Sequence, residues 1–231
     1  GDGNTGRSIT GVGFKPDLVW IKERAGTSNH NLYDSVRGAT KRLYSDLPNA
    51  EYTYTNGNGV NSFDSDGFSF GADGALNQDT IPTVAWCWKA GGAAVSNTDG
   101  TITSQVSANQ TAGFSIVSYQ ASNGSSIGHG LGKQPAFMLI KNRDAVGDWF
   151  VYHKNGNDGS DLGSNQGLNL NNNDETFTSG SNTFITAKNS STFTVGSSVI
   201  VQNGSQDFIA YCWAEIEGFS KFGSYVGNAS A

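Results

Sequence analysis

Two glutamates near the C-terminal end are the residues best placed for acid–base chemistry. Glu215 and Glu217 lie two positions apart, so they would share one face of a strand. Glycoside hydrolysis needs two carboxyl groups that face one another across the substrate. Both glutamates stand where the strand runs out toward Gly218, which favours a solvated strand end over an acid–base pair. We therefore expect no catalytic residue here.

Alternating carboxylates at Asp64 and Asp66 resemble part of a calcium loop, because such carboxylates can converge on one cation. The same Asp64-Ser-Asp66-Gly67 run is also typical of a plain turn before a strand beginning at Phe68. The three histidines lack the spacing of a zinc motif: His30, His129 and His153. The sequence therefore predicts no metal-binding residue, no cofactor-binding residue and no cofactor.

The two cysteines, Cys87 and Cys212, occupy matching places in two similar segments of the chain. A catalytic thiol would not need a twin at the same strand position. A free cysteine often behaves as a small buried hydrophobe. We expect both thiols to be buried and reduced, each in its own core, and the protein not to be an enzyme.

Basic and aromatic side chains recur at strand positions and favour architectural roles. Two Lys-x-Arg pairs are expected to pair with carboxylates at a domain rim, with ligand binding as a secondary interpretation: Lys22 with Arg24, and Lys141 with Arg143. Four tryptophans fall in apolar strands and are predicted to be core residues: Trp20, Trp86, Trp88 and Trp213. Trp149 lies beside Asp148 and near His153, and two interpretations stand for it: a core residue, or an aromatic at the domain rim that stacks on sugars.

The charge balance excludes several classes of partner. The net charge is −6 with only 14 Lys and Arg residues, so a nucleic acid would be repelled. No stretch approaches the roughly 18 apolar residues of a membrane span, and we expect no membrane insertion. Glycine accounts for 31 of 231 residues, which predicts many tight turns between short strands.

The sequence contains an internal repeat. Residues 11–24 (GVGFKPDLVWIKER) match residues 130–143 (GLGKQPAFMLIKNR) without gaps at an offset of 119. Further on, Ala85-Trp-Cys-Trp88 matches Ala210-Tyr-Cys-Trp213 at an offset of 125. The change of offset predicts about six extra residues in the second repeat, placed in the polar loop between Asn155 and Asn173 because surface loops absorb insertions at little cost.

Short runs of β-branched and aromatic residues bounded by Gly, Asn, Asp and Ser predict strands. These runs are residues 17–23, 51–55, 67–71, 83–89, 113–119, 136–142, 148–153, 182–187, 191–195 and 207–214. Two of them, around Leu18–Ile21 and Ala136–Ile140, are apolar on both faces and should lie between two layers. At most one helical turn is expected, near Asp34–Leu43. The predicted fold class is all-β, with two tandem jelly-roll or concanavalin-like β-sandwiches related by internal duplication.

The repeat sets the expected domain boundaries. Residues 1–95 form the first sandwich, residues 96–109 a linker or edge strand, and residues 110–231 the second sandwich. The second repeat is preceded by the strand Gly113–Tyr119, whereas the chain begins at the loop that would follow such a strand. We therefore expect an unpaired sheet edge in the first repeat unless another segment fills it. Residues 219–231 are interpreted either as a strand that closes back on the first repeat or as the first strand of a further repeat.

These motifs together resemble a repeated domain of uncharacterised function that occurs in virion structural proteins of tailed bacteriophages, notably those infecting marine cyanobacteria. The residues that carry the resemblance are the GFKPDLVWIKER block, Tyr33-Asp34-Ser-Val-Arg-Gly38, Asp64-Ser-Asp-Gly-Phe68, Ala85-Trp-Cys-Trp88, Trp149-Phe-Val-Tyr-His153 and Tyr211 to Tyr225. The resemblance covers nearly the whole chain and carries no catalytic residues over to it.

The resemblance implies a virion structural protein, assembled in the host cytoplasm and located in the virion. The chain would be a module of a tail fibre or of a capsid or tail appendage that contributes to host-surface attachment. Its expected partners are other virion proteins, copies of itself (three, by analogy with phage appendages) and a host-surface glycan. The alternative is a carbohydrate-binding module or a domain of a polysaccharide-degrading tailspike.

Overall fold

The chain folds into nineteen short strands and one helical turn in the part that the structure, a computed structural model, describes: residues 1–4, 6–157 and 159–227. The predicted all-β class is confirmed. The only helix of these residues is α1, Gly74–Asn77, which the carboxylate of Asp73 caps by accepting a hydrogen bond from the Ala75 amide.

The strands, numbered in chain order, form four sheets with antiparallel pairing throughout. A three-stranded sheet has the order β1 (Arg7–Ile9), β7 (Gly67–Phe70), β6 (Val60–Asp64). A five-stranded sheet has the order β5 (Tyr52–Thr53), β4 (Lys41–Tyr44), β3 (Asn31–Asp34), β2 (Leu18–Glu23), β8 (Thr83–Trp88). We refer to these two sheets as the first sheet pair.

The second sheet pair follows the same plan with more strands. Its large sheet has eight strands in the order β16 (Phe177–Thr178), β15 (Gln166–Asn169), β14 (Phe150–His153), β13 (Phe137–Asn142), β19 (Phe208–Trp213), β11 (Phe114–Tyr119), β10 (Ser104–Asn109), β9 (Val95–Asn97). Its small sheet has the order β12 (Ser126–Gly128), β18 (Thr192–Val195), β17 (Ile185–Lys188).

Three apolar cores hold these sheets together in four layers. One core fills the first sheet pair, around Val19, Tyr33 and Phe68. A second fills the second sheet pair, around Met138, Phe193 and Phe208. The third lies between the five-stranded and eight-stranded sheets and includes Leu18, Leu139, Trp149 and Tyr211. The two large sheets therefore form the middle of the molecule, and the burial between them joins the two sheet pairs.

The strands β2 and β13 each serve two cores, as their two-sided apolar patterns predicted. In β2, Val19 and Ile21 face the core of the first sheet pair, while Leu18 and Trp20 face the core between the large sheets. In β13, Met138 and Ile140 face one core and Phe137 and Leu139 the other. Alternation of side chains along each strand produces this division.

The central strand pairs of the two large sheets share one register. Leu18 lies opposite Trp88 in the pair β2–β8, and Phe137 lies opposite Trp213 in the pair β13–β19. The strand β14 begins 119 residues after β3, whereas β15 begins 125 residues after β4. The six additional residues thus fall between β14 and β15, within the loop where the sequence placed them.

In one segment the structure differs from the sequence expectation. The predicted helical turn near Asp34–Leu43 is wrong, because the turn after β3 leads directly into β4, where Leu43 is needed for the core between the large sheets. Within 96–109, β10 pairs with both β9 and β11 inside the eight-stranded sheet. Of the C-terminal segment, residues 219–227 hold only an isolated bridge between Ile216 and Ser220, and residues 228–231 lie outside the described part of the chain.

Candidate functional site

A buried ion-pair network crosses the boundary between the two large sheets. Arg37, in the turn after β3, is paired through Nε with Asp34, and neither side chain is exposed. Nη2 of Arg37 donates to the Tyr211 hydroxyl (3.3 Å), which itself donates to Asp34 Oδ2 (2.6 Å). Tyr211 belongs to β19, so this hydroxyl links the eight-stranded sheet to the turn of the five-stranded sheet.

Glu51 extends this network to the end of β13. Its carboxylate accepts two hydrogen bonds from Arg143, from Nε to Oε2 (2.9 Å) and from Nη2 to Oε1 (3.0 Å). It also accepts from Arg37 Nη1 (3.2 Å). Arg143 thus pairs with a carboxylate, as its position predicted, and the fork geometry fixes the two sheets relative to one another.

The pKa values in the network show which charges the fold requires. Burial alone would raise the pKa of Glu51, but the hydrogen bonds from Arg143 and the charge of Arg37 outweigh burial and lower this pKa. Burial alone would lower the pKa of Arg37, but Asp34 outweighs that effect and raises it. Glu51 and Arg37 are therefore charged at neutral pH, and their partners compensate the desolvation of both groups.

The protein should lose stability in acid through Glu51. A carboxylate whose pKa is lowered by folding contributes stability that is present above its unfolded pKa, about 4.3, and lost as the pH falls through the folded value. We expect the Tm of the wild type to fall more steeply below about pH 4.3 than that of Glu51→Gln. Scanning calorimetry from pH 7 to pH 3 measures both slopes, with Glu217→Gln, an exposed site, as the control. Equal slopes for the wild type and Glu51→Gln would contradict the assignment.

An aromatic cleft of about 530 Å³ opens at the edge of the core between the large sheets. We define this aromatic cleft by its main lining residues: Trp20, Trp88, Phe114, Phe137, Trp213 and Phe222. The rings of Trp88 and Trp213, one from each sheet, meet edge to face with centroids 6.2 Å apart. Phe222 from the C-terminal segment stacks on Phe137 at 5.7 Å and covers one side.

The chemistry of the aromatic cleft is mainly that of ring faces. Its walls offer flat π surfaces, which suit apolar or sugar rings. The indole Nε1 of Trp20 is buried and has no hydrogen-bond partner among the described residues. Lys89 supplies one charged group among the lining residues.

Glu215 and Glu217 line one pocket near the C-terminal segment, whereas Asp66 lies elsewhere, and Glu215 and Asp66 have structural partners. Glu215 Oε1 is 2.6 Å from Lys154 Nζ and also accepts a hydrogen bond from the Phe222 amide, and these hydrogen bonds lower the pKa of Glu215. Glu217 is exposed. Asp66 accepts hydrogen bonds from the amides of Gly11 (2.9 Å) and Gly13 (2.6 Å). Both glycines have positive φ, 85° and 83°, and their amides form an anion-binding concavity that Asp66 fills.

The histidines also have partners in the fold. His129 is buried, its Nδ1 accepts a hydrogen bond from the Leu131 amide (3.2 Å), and burial lowers its pKa. Nδ1 of the half-buried His153 accepts from the Asn155 amide (3.0 Å). The half-buried His30 lies just before β3. Within residues 1–4, 6–157 and 159–227, no group of three or more His, Cys, Asp and Glu side chains could hold a metal ion.

The remaining candidate residues are the lysines and arginine of the two Lys-x-Arg pairs and Trp149. Lys141 is buried, and its ammonium donates to the carbonyls of Asn142 (2.9 Å) and Ala145 (3.4 Å), while burial lowers its pKa to about 8. Lys22 is half-buried and its ammonium donates to the Gly26 carbonyl (3.4 Å), the counterpart of the contact with Ala145, whereas Arg24 is exposed. Trp149 is fully buried and its indole N–H donates to the Tyr44 carbonyl (2.6 Å). Trp149 is thus a core residue between the sheets.

Both thiols are free, but only one is fully buried. Cys212 lies in the core of the second sheet pair, and burial raises its pKa to about 12. The expectation of full burial is wrong for Cys87, which is half-buried because β8 is the edge strand of its sheet in the part of the chain that the structure describes. Burial also raises the pKa of Cys87.

The two thiols should therefore react at different rates. We expect a thiol reagent at pH 8 to modify Cys87 in the native protein, whereas Cys212 should react only as the chain unfolds. Mass spectrometry after timed labelling, with Cys87→Ser as the matched control, assigns each adduct. In denaturant without reductant, two thiols per chain should react. One fast-reacting thiol that persists in Cys87→Ser would contradict this order.

Sequence reasoning missed most of the ion-pair network. The signal available was the Asp34-Ser-Val-Arg37 spacing, which allows a local pair but gives no indication of the partner sheet. Glu51 and Tyr211 lie far away in sequence and carry no motif of their own.

The comparisons with known proteins place the whole chain, residues 1–231, in the family described as Domain of unknown function (DUF7483). The protein belongs to this family. Neither the curated proteins nor the solved structures contain a match to the chain. In the described part of the chain, no helix is both long enough and apolar enough to span a bilayer.

Proposed function

We propose that this protein is a structural module of a tailed-phage virion, built from two jelly-roll-like sandwiches that arose by duplication. The duplication is supported by the shared register of β2–β8 and β13–β19 and by the offsets of the neighbouring strands, 119 residues from β3 to β14 and 125 residues from β4 to β15. The placement in a virion appendage, as part of a tail fibre or a capsid or tail decoration, is supported by the sequence resemblance.

The observation that carries the structural role is the apolar core between the two large sheets. It buries Leu18, Trp149 and Tyr211 together, and the Arg37–Asp34–Tyr211 contacts close it. A flexible tether between two domains would not need such an interface, whereas a rigid spacer does. Copies of the chain and other virion proteins are its proposed partners, and three copies is the proposed stoichiometry by analogy with other appendages.

Purified particles test the placement. Mass spectrometry of gradient-purified virions should find peptides of this chain at a fixed ratio to the major capsid protein. A polyclonal serum against the chain should also decorate intact particles in electron micrographs. Peptides that occur in the infected-cell lysate and are lost from purified particles would overturn the proposal.

A second candidate function, glycan binding, is favoured by the aromatic cleft. Tryptophan faces from both sheets offer stacking surfaces for a sugar ring. Incubation with host surface polysaccharide separates the alternatives. Saturable binding that Trp88→Ala abolishes, and that the exposed control Val146→Ala retains, would indicate a carbohydrate-binding module. Shortened polysaccharide chains would indicate a tailspike enzyme, and neither result is expected of a pure structural module.

A further inference from the structure

The strand β8 presents an open edge that its counterpart β19 does not have. β8 is the last strand of the five-stranded sheet, whereas β19 lies between β13 and β11 in the eight-stranded sheet. The Trp88 carbonyl accepts from the Asp17 amide and therefore points toward β2. Because polar groups alternate along an antiparallel strand, those of Thr83, Ala85 and Cys87 point to the open edge. Trp86 remains 46% exposed.

A cavity of about 250 Å³ lies beside this edge, inside the first sheet pair. Its walls include Phe68, Leu76 and Thr83. The residues 125 positions later, Phe193, Val201 and Phe208, surround a single side chain in the second sheet pair.

That side chain is Tyr119 of β11. Its ring stacks on Phe208 at 5.6 Å and meets Phe193 at 5.8 Å, and its hydroxyl donates to the Val201 carbonyl (2.9 Å). The cavity beside β8 therefore has the position and the walls of a tyrosine site, and its volume exceeds the roughly 190 Å³ of a tyrosine at native packing density.

The C-terminal segment has the sequence that this site requires. Gly218-Phe-Ser and Ser224-Tyr225 match Gly113-Phe-Ser and Ser118-Tyr119 of β11, with one additional residue between the two blocks. Phe219, Tyr225 and Val226 are 71%, 94% and 92% exposed. This exposed apolar segment has the sequence pattern of the strand that pairs with the counterpart of β8. Such a segment can add as a strand to an open sheet edge.

We propose that residues 221–226 of one molecule add as an antiparallel strand to β8 of a second molecule, with Tyr225 seated in the cavity. The register of Tyr119 opposite Phe208 places Tyr225 opposite Thr83, Ser224 opposite Val84 and Phe222 opposite Trp86. Phe222 exchanges its stacking on Phe137 for a cross-strand contact with Trp86. The contact is head-to-tail, so it closes into a ring or continues as a filament. This inference rests on the self-association in the proposed function and specifies its contact.

Disulfide trapping tests the register directly. Ser224 and Val84 form a non-hydrogen-bonded pair, in which Cα atoms lie about 4.5 Å apart, within disulfide range. In a Cys87→Ser background, Val84→Cys protein mixed with Ser224→Cys protein should give a disulfide-linked dimer on a non-reducing gel. The matched control mixes Val84→Cys with Ser181→Cys, an exposed site outside the register, and should give only background. A yield no higher than the control overturns the proposal.

Light scattering separates this inference from the proposed function. Tyr225→Ala should weaken self-association at least tenfold, while Phe219→Ala, also largely exposed but outside the paired segment, should leave it unchanged. If the wild type self-associates and Tyr225→Ala does so equally, the strand contact is wrong and the self-association stands. If the wild type is monomeric at every concentration, both fail. A monomeric Val84→Cys/Ser224→Cys double variant that cross-links within itself would make the molecule's own tail the occupant and overturn the proposal.

Discussion

Replacing Arg37 with alanine should lower the free energy of unfolding by about 3–5 kcal/mol, the cost typical of breaking a buried ion pair. The guanidinium is fully buried and contacts Asp34, Glu51 and Tyr211. Its removal leaves the Asp34 carboxylate charged and buried, with the Tyr211 hydroxyl as its main remaining side-chain donor. Urea denaturation followed by tryptophan fluorescence measures the loss.

A matched control for this prediction is Arg24→Ala. Arg24 is exposed, so its loss should change stability by less than about 0.5 kcal/mol. Arg37→Lys keeps the charge but not the planar fork, and we expect an intermediate loss. A stability of Arg37→Ala within 1 kcal/mol of the wild type, roughly the worth of a surface pair, would show that the network does not hold the sheets together.

Replacing Trp149 with alanine should cost about 3–5 kcal/mol through the cavity that it leaves between the large sheets. Trp149 is fully buried, stacks on Tyr211 at 6.2 Å and donates to the Tyr44 carbonyl across the interface. Trp149→Phe keeps much of the ring volume and loses the hydrogen bond, so it should cost less. Thermal and urea unfolding of both variants measure the difference.

Val146→Ala serves as the control for Trp149, because Val146 is 75% exposed and three residues away in the chain. If Trp149→Ala separates two unfolding transitions, the core between the sheets is what makes the sheet pairs unfold together. An unchanged Tm in Trp149→Ala would mean that contacts other than this core hold the two sheet pairs together.

Much of the fold follows from local patterns in the sequence. Each of the ten predicted strand runs overlaps a strand of the structure, because β-branched and aromatic residues between turn residues carry that signal locally. The two-sided apolar pattern of Leu18–Ile21 correctly indicated a strand between layers. Shorter strands escaped notice: β3 reads Asn-Leu-Tyr-Asp, with polar residues at both ends. Its Asn31 and Asp34 are buried by tertiary contacts that no local pattern shows.

The candidate sites were harder to predict because their contacts are non-local. Tyr211 and Asp34 are 177 residues apart in the chain, and Glu51 and Arg143 are 92 apart. Pairing of this kind depends on which face of one large sheet packs on the other, and alternation alone leaves that choice open. The aromatic cleft likewise needs Trp88 and Trp213 to meet from different sheets. Their common place in the repeat was visible, but their proximity was not.

The position of β19 in the middle of its sheet has a consequence for synthesis on the ribosome. The first sheet pair is complete once Trp88 has emerged, because β8 joins only the outer edge of β2. The second sheet pair cannot close until residues 208–213 emerge and fill the gap between β11 and β13. About 65 residues separate β13 from β19, roughly 3–13 s of translation. During that interval both inner edges and the apolar face of β13 are open, so a nascent chain stalled before residue 208 is a substrate for chaperones and for aggregation.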